Sequence, residues 1–367
     1  MSRSKPKYLQ IYDEIGKAIK NREYAPGDLL PTEEKICQTY QTSRPTVAKA
    51  INLLAKEKLV KRRAGFGTQV LAPGRSVLTA GLLIPSLHNI EIFNPICASI
   101  TEAAGLEAMR IIRPPELDIP MDPCRLAEEL TARFISEKVH GVFFTPIEHI
   151  ENQQRFNRGI IRKLDDAGIR VVLLDRDIYP WPQKTPFDLV GIDNIEAGYT
   201  VGSHLIANGC KKPAFVSSPN PAMTVRLRRI GSREVLVHYG RDAREMRDIV
   251  FHIDEPEVTA RQLIEEEVDG VICANDAIAA PLMRTLINLG AEIPRSMRVC
   301  GFDDVKYASL LSVPLTSYHQ PCRDIGKIAA SVMINRIRHP DIPAHRVSLA
   351  GRLIVRESST SQDHRSE

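Results

Sequence analysis

Residues 26–71, PGDLLPTEEKICQTYQTSRPTVAKAINLLAKEKLVKRRAGFGTQVL, decide the fold of the N-terminal part of the chain. Pro31-Thr32-Glu33-Glu34 opens a helix: Thr32 can cap it, and two glutamates suit its positive end. That helix carries Ile36 and Tyr40 inward and breaks at Gln41-Thr42. Ser43 is a good N-cap for the next helix, with Pro45 tolerated in the first turn and Val47, Ile51 and Leu54 on one apolar stripe. Arg44, Thr46, Lys49 and Asn52 lie outside that stripe. Leu59–Arg63 reads as a strand, Ala64-Gly65-Phe66-Gly67 as a tight turn and Thr68–Leu71 as the returning strand. Upstream, Leu9, Tyr12, Ile15 and Ile19 recur at helical spacing and predict a first helix ending before Tyr24-Ala-Pro-Gly27. Three helices followed by a β-hairpin make a winged helix-turn-helix.

Charge divides along the same line. The formal net charge is +4 over 367 residues, but residues 1–72 hold 14 Lys/Arg against 7 Asp/Glu, and the remainder holds 35 against 38. A positive footprint confined to one small domain suits the neutralisation of phosphates.

Residues 7–71 resemble the GntR-type DNA-binding domain through PGDLLPTEEKI, TSRPTVAKAINLLAKEKLV and KRRAGFGTQV. The resemblance implies that the third helix enters the major groove of double-stranded operator DNA. It also implies that Arg44 and Thr46 contact bases or phosphates, and that the Gly65-Phe66-Gly67 tip reaches the adjacent minor groove. Thr32 and Glu33 would flank the backbone beside Ser43 and Pro45, while Lys49, Lys61, Arg62 and Arg63 supply charge. An arginine at a helix N-terminus can aim its planar fork at guanine O6/N7 or a phosphate, and glycines let a wing approach closely. Ala48 and Phe66 depart from the usual pattern, so no base preference is carried over.

After Ala72-Pro-Gly-Arg-Ser76 the pattern changes to apolar runs alternating with helical stretches: 81–84, 109–112, 141–144, 171–174, 190–192, 214–216, 249–251, 270–273 and 299–302. Continuous apolar strands separated by helices imply parallel sheets covered on both faces, here as two Rossmann-like lobes. The expected division is a DNA-binding domain at 1–72, a linker at 73–77, a two-lobed domain at 78–358 and a disordered tail at 359–367.

Residues 79–357 resemble the LacI/GalR-type effector domain, related to periplasmic sugar-binding proteins. The matching segments, in family order, are TAGLLIPS, VVLLDRD, VGIDNIEAGYTVGSHLIANG, RLRRIGS, GVICANDAIAAPLM and VCGFDDVKYASLLSVPLTSYHQPCRDIG. The fold implied is an α/β, two-lobed, type I periplasmic-binding-protein-like domain with a small-molecule effector between the lobes. Its matching contacts are Asp175, Arg176, Arg228, Asn275, Asp276 and Gln320, with Asp276 and Arg228 foremost. Ser86, His88 and Phe93, in the loop after the first strand, could add a hydrogen bond and a stacking face. Carboxylates accept several hydroxyl protons and arginine donates in a fixed fork, which suits a sugar. The motifs do not separate sugars from purines or phosphorylated metabolites. Asp303-Asp304 matches a structural segment of that family, and Trp181 reads as a packing residue near a lobe crossover.

Other functions find less support. The carboxylates at strand ends could in principle form a hydrolytic pair, but no nucleophile elbow, P-loop, GxGxxG fingerprint or HExxH motif accompanies them. The seven cysteines lack metal-ligand spacing, so no metal and no cofactor is expected, and the thiols read as reduced. No export signal and no run of about 20 apolar residues is present, which predicts a cytoplasmic chain without membrane contact. A GntR-type head on a LacI-type sensor is an architecture of the arabinose-repressor type. It predicts a homodimeric repressor on a near-palindromic operator, released by effector, with a ligand-dependent activator as the alternative.

Overall fold

The computed structural model describes residues 6–21, 23–57, 59–63, 66–71, 77–85, 91–115, 121–148 and 150–360. The chain forms two compact units, Met1–Leu78 and Thr79–Glu367. Of the expected linker at 73–77, residues 73–76 lie outside the described residues.

In the first unit, α1 (Lys7–Lys20), α2 (Glu33–Tyr40) and α3 (Arg44–Lys56) precede β1 (Val60–Arg63) and β2 (Gly67–Val70). Ile11, Ile15 and Ile19 recur every fourth residue on α1 and meet Ile36 from α2 and Val47, Ile51 and Leu54 from α3 in one core. Burial of this stripe, rather than intrinsic propensity, holds such short helices. Val60 pairs with Val70 in an antiparallel ladder that ends at Arg63 opposite Gly67. The segment before α2 joins this wing, since Leu30 N–H donates to the Thr68 carbonyl at 2.9 Å and Val70 N–H to the Asp28 carbonyl at 2.8 Å.

The second unit runs β3 (Leu78–Leu83), α4 (Phe93–Leu106), β4 (Met109–Ile112), α5 (Pro123–Ser136), β5 (Gly141–Phe144), α6 (Gln153–Asp166), β6 (Arg170–Leu174), β7 (Asp188–Ile192), α7 (Asn194–Ala207), β8 (Pro213–Ser217), α8 (Met223–His238), β9 (Arg247–Val250), α9 (Pro256–Glu265), β10 (Gly270–Cys273), α10 (Asp276–Asn288), β11 (Arg298–Asp303), β12 (Thr316–His319), α11 (Cys322–Arg338), β13 (Arg346–Leu349) and β14 (Arg352–Ile354). Two six-stranded sheets result, ordered β13-β7-β6-β5-β3-β4 and β14-β12-β11-β10-β8-β9. The chain crosses between them at Asp193, at Gln320-Pro321 and at Ala350-Gly351. Helices cover both faces, which explains the unbroken burial of strands such as β5 and β10.

The all-parallel expectation is corrected at one edge, because β14 runs antiparallel to β12. The tail expected from residue 359 is also corrected. Ser359 is fully buried, and its hydroxyl lies 2.7 Å from His204 Nε2 and 2.6 Å from Thr316 Oγ1. Residues 361–367 lie outside the described residues. No described helix is long and apolar enough to cross a membrane.

Candidate functional site

In the head, Thr32 Oγ1 accepts the Lys35 N–H at 3.3 Å and so caps α2. Gln41 takes the left-handed conformation (φ 46°) and turns the chain toward α3. Ser43 occupies the N-cap, but its side chain does not cap; its hydroxyl pairs with the Thr46 hydroxyl at 3.0 Å. Arg44 therefore begins α3, with its side chain 71% exposed and its guanidinium 3.7 Å from the Glu34 carboxylate. Pro45 fills the first turn, where a missing N–H costs nothing. The Lys49 ammonium stands 4.0 Å above the centre of the Tyr8 ring. Glu33 accepts from Arg62 at 2.5 Å, tying α2 to the wing. Phe66 is 73% exposed, and Gly67 has a φ of 102°, which a side chain would strain. Gly65 and the Arg63 side chain lie outside the described residues.

In the body, the strand ends of the two lobes bring buried charges together. Asp175 follows β6 at a φ of 67°. A Cβ on Gly191 of β7 would stand 3.1 Å from the Asp175 carbonyl oxygen, so glycine there lets the strand lie close against it. Arg176 Nε donates to Asp175 Oδ2 at 2.9 Å, Nη1 donates to Glu148, and the guanidinium lies 5.6 Å from the Phe93 ring centre. Phe93 is the fully buried first residue of α4, not a loop residue as expected, so it supports Arg176 from beneath. Ser86 and His88 lie outside the described residues.

From the second lobe, Arg228 Nε donates to Asn194 Oδ1 at 2.9 Å and Nη1 to the Ala274 carbonyl at 2.8 Å. Its Nη2 lies 3.6 Å from Asp303. Helix α8 begins at Met223, so Arg228 stands in its second turn rather than at its start. A Cβ on Gly198 would fall 1.9 Å from the Arg228 carbonyl oxygen, and one on Gly231 1.9 Å from that of Ile195. The two glycines let α7 and α8 touch backbone to backbone, which carries Arg228 to Asn194. Asn275 Oδ1 caps α10 by accepting the Ile278 N–H at 3.0 Å, which leaves its amide hydrogens as the donors it can offer.

In the GFDD segment, which matches a structural segment of the family, the two carboxylates part. Asp303, at a φ of 102°, accepts from Gln320 Nε2 at 2.7 Å and faces Arg228. Asp304 accepts from Arg356 at 2.6 Å and lies 2.9 Å from His319 Nδ1. Asp276 is different again: it is fully buried, with Oδ1 accepting from Ser317 Oγ at 2.7 Å and Oδ2 from Val305 N–H at 3.0 Å. Its carboxylate holds the loop after Asp303 within its own lobe.

Burial pushes the Asp175 carboxyl up to about 6, Arg228 opposing and Asp303 adding. Burial also brings the Arg176 guanidinium down to about 9, with Arg228 acting in the same sense. Asp175 and Arg176 follow β6 in one sheet, whereas Asp303 ends β11 in the other and lies beside Arg228. Two cavities open beside the cluster. One of about 340 Å³ is lined by Asp175, Arg176, Asn194 and Thr224, with Trp181 at 55% exposure rather than packed. The other, of about 870 Å³, is lined by Asn94, Asp303, Gln320 and Cys322.

Sequence reading missed Glu148, Asp303 and Thr145. Thr145 follows β5; its N–H donates to the Leu83 carbonyl at 3.1 Å, while its hydroxyl, in a residue 4% exposed, has no partner among the described residues. A buried hydroxyl without a partner at a strand end is a place for a ligand atom. Its signal exists only in three dimensions.

Residues 7–70 match the family model of bacterial regulatory proteins of the gntR family, and residues 203–359 match that of the periplasmic binding protein-like domain. The arabinose metabolism transcriptional repressor of Geobacillus stearothermophilus is 25% identical over 92% of this chain and 93% of its own length. The ribose operon repressor of Halalkalibacterium halodurans is 24% identical over 76% of this chain and 78% of its own. A LacI family transcriptional regulator from Enterococcus faecium, solved with bound ribose, superposes with a TM-score of 0.63 at 23% identity. It covers 77% of this chain and 98% of that one, a likeness of fold. The chain thus joins a gntR-type helix-turn-helix head to a periplasmic-binding-protein-like body, and the two relatives described are repressors of arabinose metabolism and of a ribose operon.

Proposed function

We propose that this protein is a transcriptional repressor that binds operator DNA through its winged head and releases it when a sugar enters the cleft of its body. One observation carries the reading: a gntR-type head shares a chain with a two-lobed body whose strand ends hold the buried Asp175, Arg176 and Arg228 with the half-buried Asp303. Charged side chains are expensive to bury unless they are paired or await a polar ligand.

The head supports a division of labour. Arg44 and Thr46 at the start of α3 read base edges; Lys49, Arg62 and Arg63 neutralise phosphates; and Gly65, Phe66 and Gly67 enter the minor groove. Thr32, Glu33, Ser43 and Pro45 hold these groups in register. A dimer places two such heads on a near-palindromic site.

In the cleft, Asp175 and Asp303 accept hydroxyl protons, Asn275, Arg176 and Arg228 donate, and Gln320 and Thr145 do either. Both guanidinium groups already serve protein acceptors, and three carboxylates, Glu148, Asp175 and Asp303, face them. That balance favours an uncharged polyol at this cluster, because neither of its two guanidinium groups is free to meet a phosphate. Asp276 positions the loop after Asp303 and does not touch the effector. Closing the lobes on the ligand shifts the balance between DNA-competent and DNA-released states.

The test is a melting screen of the full chain against sugars, nucleobases and sugar phosphates. A ligand at about 100 times its Kd stabilises by about 2.7 kcal/mol. A sugar should raise the melting temperature and dissociate the protein from a duplex it has selected. Stabilisation by nucleobases or phosphates alone would overturn the sugar assignment.

A further inference from the structure

The head is basic, yet a carboxylate stands beside the arginine at the start of α3. Other acidic residues of the head hold it together. Asp28 accepts from Ala25 N–H at 2.7 Å, Glu14 from the Tyr40 hydroxyl at 2.8 Å, Glu57 from the Tyr12 hydroxyl and Glu33 from Arg62 at 2.5 Å. Glu34 is placed differently. Its ionic partner is the Arg44 guanidinium, 3.7 Å away, and the two side chains are 69% and 71% exposed. So open a pair, at that distance, is screened by solvent and salt and adds little to stability.

Docking on DNA changes its surroundings. Arg44 offers two parallel N–H donors, the fork that fits guanine O6 and N7, and turning to that base draws it from Glu34. Water leaves the interface, and Glu34 is left among phosphates. A carboxylate stripped of donors near a polyanion is costly, and the cost falls on every register and every sequence. One event relieves it: an exocyclic amino group in the major groove, cytosine N4 or adenine N6, donating to the freed carboxylate.

We infer that Glu34 is a specificity-determining residue of the head: beside the base taken by Arg44 it selects the orientation of the base pair that puts cytosine N4 or adenine N6 on the strand nearer the carboxylate, and penalises the reverse orientation. The inference rests on the DNA-binding role proposed above. Specificity arises here from a repulsive element as much as from an attractive one. The carboxylate lowers affinity for DNA in general while lowering it least for the correct site.

The test uses the full chain and a duplex pool with a randomised central segment. Wild type should enrich a site in which the base pair beside the Arg44-dependent guanine presents cytosine or adenine on the strand nearer the carboxylate. Glu34→Gln, with unchanged melting temperature, should lose the preference at that one position. It should also bind a random-sequence duplex about five-fold more tightly, shrinking the ratio of specific to nonspecific affinity. Glu34→Ala should relax the same position, whereas Glu34→Asp should restore part of the preference. A Glu34→Gln profile identical to wild type at every position would overturn the inference while leaving the DNA-binding role intact. Failure of wild type to enrich any sequence would remove that role and the inference with it.

Discussion

Asp303 Oδ1 accepts a 2.7 Å hydrogen bond from Gln320 Nε2, and this bond ties the end of β11 to the segment that crosses back to the first lobe. The same oxygen faces Arg228 at 3.6 Å. The bond therefore sits where hinge and cleft meet, and a ligand held by Asp303 would also be felt by the crossover. Asp303→Asn keeps the shape and removes the charge. Hydrogen bonds to charged groups contribute about 1.5–3 kcal/mol each. Affinity for the stabilising sugar should fall by about 10- to 150-fold in titration calorimetry, with DNA binding retained. Wild-type sugar affinity would remove Asp303 from the site.

The head and the central strands could be read in the sequence because their signals are local. Caps, the four-residue recurrence of Ile11, Ile15 and Ile19, and the turn before Gly67 depend on near neighbours. Strands β5, β10 and, from Val171 on, β6 are buried on both faces and so must be apolar. By contrast, β12, β13 and β14 escaped notice. Thr316–His319 is largely polar, and Arg346–Leu349 alternates exposed with half-buried residues at a sheet edge, so pairing rather than composition makes them strands. The carboxylates fail for a related reason. Asp276 and Asp303 both stand at strand ends, but the left-handed φ of Asp303 and the bonds from Ser317 and Val305 to Asp276 give them different surroundings. Those bonds join residues far apart in sequence.

The close approach of α7 and α8 gives a stability prediction. A Cβ at Gly198 would meet the Arg228 backbone, not a movable side chain. Gly198→Ala must push the helices apart, and the cost outweighs the better helix propensity of alanine. The body should lose at least about 2 kcal/mol in urea unfolding. Because Arg228 loses its place against Asn194, sugar affinity should drop as well. A variant as stable as wild type would contradict the packing described.

Asp276 predicts a pH dependence. Burial, reinforced by Asp303, raises its carboxyl to about 8, above the range of an unfolded aspartate. The folded state therefore binds more protons than the unfolded state between about pH 4 and 8, and stability must decline as pH rises through that window. Asp175, raised to about 6, contributes in the same direction but mainly below pH 6. Asparagine at 276 can still accept from Val305 N–H and can donate to Ser317 Oγ. The body of Asp276→Asn should hold its melting temperature from pH 6 to 8, whereas wild type declines. Parallel curves would show that Asp276 does not titrate in this window.

Arg44 and the cleft together test whether the two halves communicate. Arg44 projects from the first turn of α3, with no part in the head's core. Arg44→Ala should abolish selective operator binding yet leave sugar affinity unchanged when DNA is absent. Coupling between sites is a free energy shared by both ligands, so in wild type a selected operator must weaken sugar binding by the same factor by which sugar weakens operator binding. A coupling of about 1–3 kcal/mol corresponds to about 5- to 150-fold in each direction. In Arg44→Ala that factor should collapse to one, because the duplex no longer distinguishes the two states of the body. Calorimetric titration of sugar with and without saturating operator, in both proteins, measures all four affinities. Equal sugar affinity in wild type with and without operator would exclude the repressor mechanism proposed, whatever each site binds alone.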